Sequence, residues 1–427
     1  MEIEELYTEF SASAGIETDT RKDLQNKIFF GLKGPNFDGN QFALQALAKG
    51  AALAVVDDET LPEHNNLFFV TDALKALQSL ARHHRQTLKV NVIAICGSNG
   101  KTTTKELMGR VLAKRFKTFV TPGNLNNPIG VPLSILQITH SHEMAVIEIG
   151  ANHLGETAEL CLLANPDFGL ITNVGKDHLE GFGSIEGVAQ ANGELFQHLQ
   201  ACKGLAFVNT TDEHVVQLAS KLTRKVTYPQ SGDFFSAEAE AGSGKLVVRL
   251  KSGRRIETKL VGSYNLPNVA AAMCAGTYFD VAEGDASEAV ADYNPTNMRS
   301  QLVATPHNEV IVDAYNANPS SMLAALKSFS ELTTPKTKVA ILGEMAELGK
   351  YAELEHRELG HCLRGFDIAH VYLIGDAMQA ARVSEEFHFF ANTDVLEGYL
   401  KENPLRDSLI LLKGSRANKL ERLLTSL

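Results

Sequence analysis

Ile93-Ala94-Ile95-Cys96-Gly97-Ser98-Asn99-Gly100-Lys101-Thr102-Thr103-Thr104 is the stretch on which the reading of this chain turns. An apolar run suited to a buried strand empties into a glycine-punctuated turn. That turn ends in Lys-Thr and opens a helical pattern from Lys105 to Lys114. A strand, turn and helix in this order aim successive backbone N–H groups into one concavity at the positive end of a helix dipole, where polyphosphate binds. Gly97, Ser98, Asn99, Gly100, Lys101, Thr102 and Thr103 are therefore the candidate nucleotide contacts. Lys101 is placed to reach the β- and γ-phosphates and the Thr102 hydroxyl to ligate Mg²⁺. The loop is a shortened variant: the position five before Gly100 is Ile95, and the first glycine is Gly97. The expectation is a protein that binds a nucleoside triphosphate.

Composition narrows the class. A chain of 427 residues is too long for one core and suggests two to four domains. Hydrophobic content of 44% and charged content of 21% are those of an ordinary globular protein. A net charge of −11 argues against a nucleic-acid partner or an anionic membrane surface. No apolar run reaches the roughly 18 residues of a membrane span. Met1-Glu2-Ile3-Glu4-Glu5 is acidic and lacks the basic and apolar regions of a signal peptide. The five cysteines are scattered without CxxC spacing, which predicts reduced thiols, a cytoplasmic location and no zinc site.

Periodicity predicts an α/β protein of three domains. A small N-terminal α/β domain covers 1–86, with strands at Lys27–Leu32, Ala51–Val56 and Leu67–Val70 and helices at Asn40–Lys49 and Ala73–Arg85. A central P-loop domain covers 87–295. Its strands at Asn91–Cys96, Lys117–Thr121, Met144–Ile149, Phe168–Thr172 and Gly204–Asn209 predict a mainly parallel sheet with helices on both faces. Lys245–Leu250 and Arg255–Leu260 read as a hairpin. From Thr296 to the end, strands at Glu309–Asp313, Lys338–Gly343, His370–Gly375 and Ser408–Lys413 predict a Rossmann-like, doubly wound domain.

In such sheets the ligand lies beyond the carboxyl ends of the strands, and several polar residues fall there. Glu148 closes Ala145-Val146-Ile147-Glu148-Ile149-Gly150. A carboxylate buried at that point needs a partner: a Mg²⁺ shared with Thr102, a helix cap or a salt bridge. His178, in Thr172-Asn173-Val174-Gly175-Lys176-Asp177-His178, is a candidate ligand for a second metal or a structural histidine. Asn124, Asn126 and Asn127 share one loop; turn formation explains one or two of them, and a substrate or phosphate contact the rest. Asn265 precedes a proline in a helical first turn, which suits an N-cap. Val312-Asp313-Ala314-Tyr315-Asn316-Ala317-Asn318-Pro319 carries more polar groups than a plain β–α turn needs.

Taken in order, these segments resemble the Mur ligases, the ATP-dependent amide ligases of bacterial cell-wall synthesis. The matching residues are Gly-Ser-Asn-Gly-Lys101-Thr102-Thr, Asn124–Asn127, Glu148 in Ile-Glu-Ile-Gly, Thr172-Asn173-Val-Gly-Lys-Asp177-His178-Leu, Asn265-Leu-Pro-Asn268-Val-Ala-Ala and Arg299. Within the family, Asp313-Ala-Tyr315-Asn316-Ala317-Asn318-Pro319-Ser320, Leu342-Gly-Glu-Met-Ala-Glu-Leu-Gly349 and Leu412-Lys413-Gly-Ser-Arg416 are similar to the MurF branch, whose members join D-alanyl-D-alanine to UDP-MurNAc-tripeptide. Thr18-Asp19-Thr20-Arg21 and Phe29-Phe30-Gly-Leu-Lys33-Gly34 are similar to that branch's uridine-nucleotide-binding region.

The resemblance implies a two-step acyl transfer with ATP and Mg²⁺, in a protein that works as a monomer away from membranes. It assigns Lys101, Glu148 and His178 to catalysis. Thr102 and Glu148 hold one Mg²⁺ and His178 helps to hold a second. Asn265, Asn268, Arg299, Asp313 and Tyr315 contact the nucleotide. Asn124, Asn126, Asn127, Thr172, Asn173 and Asn316 face the substrate, while Thr20, Arg21 and Lys33 serve its uridine end. The third unit must swing over the central one to complete this set, so domain closure is expected to gate chemistry. One departure stands out. Many family members carry a carbamylated lysine in Ala-Lys-Gly-Glu where this chain has Ala191-Asn192-Gly193-Glu194. A neutral amide cannot be carbamylated, which leaves three readings: His178 and water suffice, Glu194 substitutes, or activity is reduced. The alternatives are the same chemistry with another dipeptide or depsipeptide acceptor, and a weakly active or non-catalytic nucleotide-binding homologue.

Overall fold

The computed structural model describes residues 3–240, 244–295 and 298–427. The expected start of the third unit, Thr296, and the first two residues of the chain lie outside them. The P-loop strand Asn91–Cys96 shows how the sheet positions the site. Val92, Ala94 and Cys96 face one hydrophobic core and Ile93 and Ile95 the other, so the period-two alternation of a strand becomes two buried layers. Ile93 and Ile95 are fully buried, and removing each side chain from water contributes roughly 1.5–3 kcal/mol.

The central sheet has six strands, in the order Lys225–Tyr228, Leu205–Asn209, Phe168–Ile171, Asn91–Cys96, Met144–Glu148 and Thr118–Val120, all paired in parallel. After Asn91–Cys96 the chain crosses to the edge strand Thr118–Val120, fills in Met144–Glu148, and then moves to the other side of Asn91–Cys96. Asn91–Cys96 and Phe168–Ile171 therefore flank the point where strand order reverses, and their carboxyl-end loops open a crevice. The P-loop helix runs Lys101–Leu112, four residues earlier than the sequence pattern begins, and packs on the helix Leu266–Tyr278. A three-stranded antiparallel sheet includes the expected hairpin, Lys245–Leu250 with Arg255–Val261.

The N-terminal part is a four-stranded parallel sheet with strands Ile16–Glu17, Ile28–Phe30, Leu53–Val56 and Leu67–Phe69. Its last helix, Ala73–Thr87, is fixed to the central part. Buried Arg85 donates to the Ala164 and Asn165 carbonyls at 2.9 and 3.0 Å, and His84 Nε2 lies 2.7 Å from the Ile138 carbonyl.

The C-terminal sheet also has six strands, in the order Gln301–Ala304, Glu309–Asp313, Ser408–Lys413, Thr337–Gly343, His370–Ile374 and Phe387–Phe390. Only the first joins antiparallel. Besides the two-residue strands Ile16–Glu17, Lys33–Gly34 and Phe37–Asp38, the longer strands Lys225–Tyr228, Ala237–Glu240, Gln301–Ala304 and Phe387–Phe390 escaped the sequence reading. Each of these four longer strands lies at a sheet edge, paired on one side only and with no more than two of its four residues buried, so none gives the continuous buried apolar run of a central strand. Among the described residues no helix is long and apolar enough to cross a membrane, and all five thiols are free.

Candidate active site

A cleft of about 590 Å³ lies where the carboxyl ends of the two six-stranded sheets face each other. On the central wall the P-loop is tied to the neighbouring strand end. Ser98 N donates to the Asn173 carbonyl, Asn99 N to Asn173 Oδ1 at 3.1 Å, and Asn173 Nδ2 back to the Asn99 carbonyl at 3.0 Å. Ser98 Oγ donates to buried Asp177 at 2.6 Å and accepts from Gly175 N. Gly97 and Gly100 have φ of +126° and +80°. A Cβ on Gly97 would lie 2.1 Å from Thr172 Oγ1, and one on Gly100 2.4 Å from Asn268 Oδ1, so the turn needs glycine for both conformation and space.

Lys101 folds back on its own loop, donating to the carbonyls of Gly97 and Ser98. Thr102 donates to Glu148 Oε1 at 3.2 Å, and Asn126 Nδ2 donates to the same oxygen at 2.7 Å. Glu148 is 1% exposed, and its other oxygen lies 3.3 Å from Lys105 Nζ, also 1% exposed. Thr104 Oγ1, Asn268 and Asn265 form a chain: Thr104 donates to Asn268 Oδ1, and Asn268 Nδ2 to Asn265 Oδ1, both at 3.0 Å. Asn265 does not cap its helix with its side chain; Nδ2 turns to the Val261 carbonyl instead.

On the C-terminal wall Arg299 stacks on Tyr315, its guanidinium carbon 4.0 Å from the ring centroid, with Arg416 at 5.7 Å. Among the described residues Arg299 Nε is buried with no hydrogen-bond partner. Asp313 and Lys413 end adjacent parallel strands in register, and their side chains pair at 2.6 Å. The walls touch directly. Asn318 Nδ2 donates to Asn99 Oδ1 at 2.9 Å, and Lys176 N donates to Ser320 Oγ at 2.7 Å. Lys176 Nζ pairs with Glu355 at 2.7 Å, and His178 Nδ1 pairs with Glu347 Oε2 at 2.7 Å. The hydrogen bond from His178 holds the Glu347 carboxyl below its ordinary range, against the opposing effect of burial.

Residues 95–276 match the Mur ligase middle domain, and residues 298–416 the Mur ligase glutamate ligase domain. The UDP-N-acetylmuramoyl-tripeptide–D-alanyl-D-alanine ligase of Bacillus subtilis strain 168 is 35% identical over 429 aligned positions, covering 97% of this chain and 93% of that protein. This chain belongs to the Mur ligase family. Its fold is similar to MurF from Acinetobacter baumannii (TM-score 0.88, 27% identity, covering 100% of this chain and 98% of that one). It is likewise similar to the MurF ligase of Thermotoga maritima in complex with ADP (TM-score 0.85, 25% identity, 97% of each chain).

Against that Mur ligase framework, most residues singled out in the sequence line the one cleft. These are Ser98 to Thr103, Asn124, Asn126, Asn127, Glu148, Asn173, His178, Asn265, Asn268, Arg299, Asp313, Tyr315 and Asn316. Gly97 and Thr172 lie behind the loop, packed on each other, with Thr172 Oγ1 donating to the Cys96 carbonyl. Asn127 is the turn former of its trio: Oδ1 accepts from Ile129 N and Gly130 N.

Thr20 and Arg21, in a turn, and Lys33, in the short strand Lys33–Gly34, belong to the N-terminal part and do not line the cleft. Arg21 is largely exposed and pairs with Asp19 at 2.7 Å, while Lys33 pairs with Asp57 at 2.9 Å. Asn192 is buried in the helix Ile185–Cys202 with its amide donating to the Val188 carbonyl. Glu194 accepts from Gly155 N and Ala158 N at the start of the helix Glu156–Ala164, and so serves as that helix's anion.

Lys105, Lys413 and Glu347 were missed as site residues. The signal for Lys105 is its i+4 spacing from Lys101, which puts both on one helix face. Lys413 ends an otherwise apolar strand, where a buried lysine needs an anion on the neighbouring strand.

Proposed function

We infer that this chain is an ATP-dependent, peptide-bond-forming ligase of the MurF type, joining D-alanyl-D-alanine to UDP-MurNAc-tripeptide. The observation that carries this is one cleft lined by the P-loop on one side and by Arg299, Asp313 and Tyr315 on the other, in a chain related over nearly its whole length to ligases of that name. The units involved are those at 1–86, 87–295 and 296–427.

In the reaction the tripeptide's terminal carboxylate oxygen attacks the γ-phosphorus. The bond to the β-bridging oxygen breaks, giving an acyl phosphate and ADP. The free amine of the dipeptide then adds to the acyl carbon, loses a proton, and phosphate leaves as the amide forms. Two anions must meet in the first step, so the protein's task is charge neutralisation and in-line alignment. Lys101 needs only to leave the Gly97 and Ser98 carbonyls to reach a γ-phosphate. Arg299 Nε, buried without a partner among the described residues, is suited to the same anion from the opposite wall. Asp313 and Tyr315 are suited to the nucleoside, and Asn124, Asn126, Asn173 and Asn316 to the peptide substrate.

Thr102 Oγ1 and Glu148 Oε1, buried and 3.2 Å apart, form an oxygen pair that fits Mg²⁺. When bound there, Mg²⁺ supplies charge neutralisation to the phosphates. The residues expected at a second metal do not fit one: His178 is engaged by Glu347, Asn192 by its own helix and Glu194 by a helix terminus. Among the described residues no three His, Cys, Asp or Glu side chains gather at a metal-binding spacing. No step is assigned to a second metal. The uridine end is assigned to Thr20, Arg21 and Lys33, and the enzyme is proposed to act as a cytoplasmic monomer, since one chain supplies both walls.

Phosphate release measured with ATP, Mg²⁺ and UDP-MurNAc-tripeptide, with and without D-Ala-D-Ala, tests the assignment. Release is expected only when both substrates are present. Release with a depsipeptide but not the dipeptide would change the acceptor, and no release with nucleotide bound would support the non-catalytic alternative.

A further inference from the structure

Lys105 has no part in the chemistry above, yet it is one of the most deeply buried charges in the molecule, at 1% exposure. It lies one helical turn beyond Lys101 but does not line the cleft, so it is not placed to meet a phosphate. Nζ donates to the Gly123 carbonyl at 2.6 Å and lies 3.3 Å from Glu148 Oε2. Glu148 is thus a two-sided carboxylate. Oε1 turns to Thr102 and Asn126, whereas Oε2 accepts no hydrogen bond among the described residues and has Lys105 as its counter-charge. Lysine is a strongly hydrated cation that is almost never buried unpaired, and a buried carboxylate without a counter-ion is strongly disfavoured. Each ion therefore stabilises the other, and together they present little net charge to the cleft.

That near-neutrality has a consequence for metal loading. A divalent cation arriving alone meets a carboxylate already offset by an ammonium group 3.3 Å away. A cation arriving with nucleotide phosphates brings the missing negative charge with it. We propose that Lys105 is a positioning residue that holds Glu148 aimed at Thr102 and makes metal binding there conditional on nucleotide. Through Gly123 the same lysine ties Glu148 to the loop bearing Asn124 and Asn126, so the metal side and the substrate side of the cleft share one tether. The proposal rests on the ligase assignment of Thr102 and Glu148 as the metal-holding pair.

The test is Mn²⁺ binding, followed by electron paramagnetic resonance, to the full chain and to Lys105→Met and Lys105→Arg, with and without ADP. Thermal melting shows that each variant is folded. The wild type is expected to bind Mn²⁺ at least about tenfold more tightly with ADP than without, a coupling of ordinary size. Lys105→Met should tighten binding of Mn²⁺ alone by about tenfold and so shrink the nucleotide dependence. Lys105→Arg should keep the wild-type pattern. A folded Lys105→Met with wild-type affinity for Mn²⁺ alone would overturn the proposal. Should Lys105→Met not fold, Lys105→Gln, which removes the charge and keeps a donor, carries the same comparison. A wild type that binds no Mn²⁺ even with ADP would overturn the metal pair itself, and the proposal with it.

Discussion

On the central wall of the cleft, Glu148 is surrounded before any ligand arrives: Thr102, Asn126 and Lys105 all reach it, and Lys101 rests on the P-loop carbonyls. On the C-terminal wall Arg299 is held only by stacking on Tyr315, with a buried Nε left without a partner among the described residues. Both walls end six-stranded sheets whose strands meet the cleft at their carboxyl ends. They differ in what is left unsatisfied. The central wall is internally neutralised and set in place by packing, whereas the C-terminal wall keeps a cation in reserve for an anionic ligand. In the proposed ligase one side is the template and the other the clamp, joined by the contacts of Asn318 with Asn99 and Glu347 with His178, and closure through those contacts is the proposed gate.

Breaking the template should cost most. Lys101→Ala is expected to lower kcat by at least about 10²–10³-fold, the scale of losing one preorganised charge-stabilising group. Near-normal turnover in a steady-state ADP assay would remove Lys101 from the phosphate site. Arg299→Ala should cost less, about 10²-fold in kcat/KM, with an unchanged melting temperature because the guanidinium contributes to ligand rather than to core. An equal loss in both variants would make the two walls equivalent and end the distinction.

Weakening the contact between walls should be milder. Asn318→Ala removes the bridge to Asn99 and also the cap of the helix Pro319–Ser330. Loss of such a cap typically costs about 1 kcal/mol of stability, and a several-fold change in kcat and KM together is expected beyond it. Glu347→Gln isolates the closure contact without the cap and should reproduce the kinetic change alone. The carboxyl of Glu347 titrates below its ordinary range because of His178. The Glu347 carboxylate is therefore fully ionised above the ordinary carboxylate range, and its contribution to the contact fades as pH falls through the lowered value. A Glu347-dependent contribution that grows as pH falls through the carboxylate range would contradict that sign. Smallest of all, Arg21→Ala should raise KM for the UDP substrate several-fold with kcat unchanged, the signature of lost uniform binding.

Residues whose chemistry repeats at a strand end were legible in the sequence. The P-loop, Glu148, Asn173 and Tyr315 are polar groups placed where an apolar run stops, and topology then gathers them into one cleft, whereas Arg299 precedes a strand and was reached only through the family resemblance. Lys105 and Lys413 left only a local signal, a helical spacing and a strand end, because the counter-ions that define their roles are more than forty residues away in sequence and lie beside them only after the sheets form. Asn265 and Glu194 show the converse. A local cap suited the first and a metal was one of three readings that involved the second, and their side chains go elsewhere, to the Val261 carbonyl and to the helix beginning at Glu156. Edge strands such as Gln301–Ala304 escaped because exposure on one side dilutes the apolar run by which strands are recognised.

The central claim is that the tripeptide's carboxylate, and not water, attacks the γ-phosphorus between these two walls. Labelling that terminal carboxylate with oxygen-18 and measuring the mass of the released phosphate tests it directly. The account predicts one labelled oxygen in each phosphate formed with the amide. Unlabelled phosphate, released while the amide forms, would contradict an acyl-phosphate route and the roles given to Lys101 and Arg299.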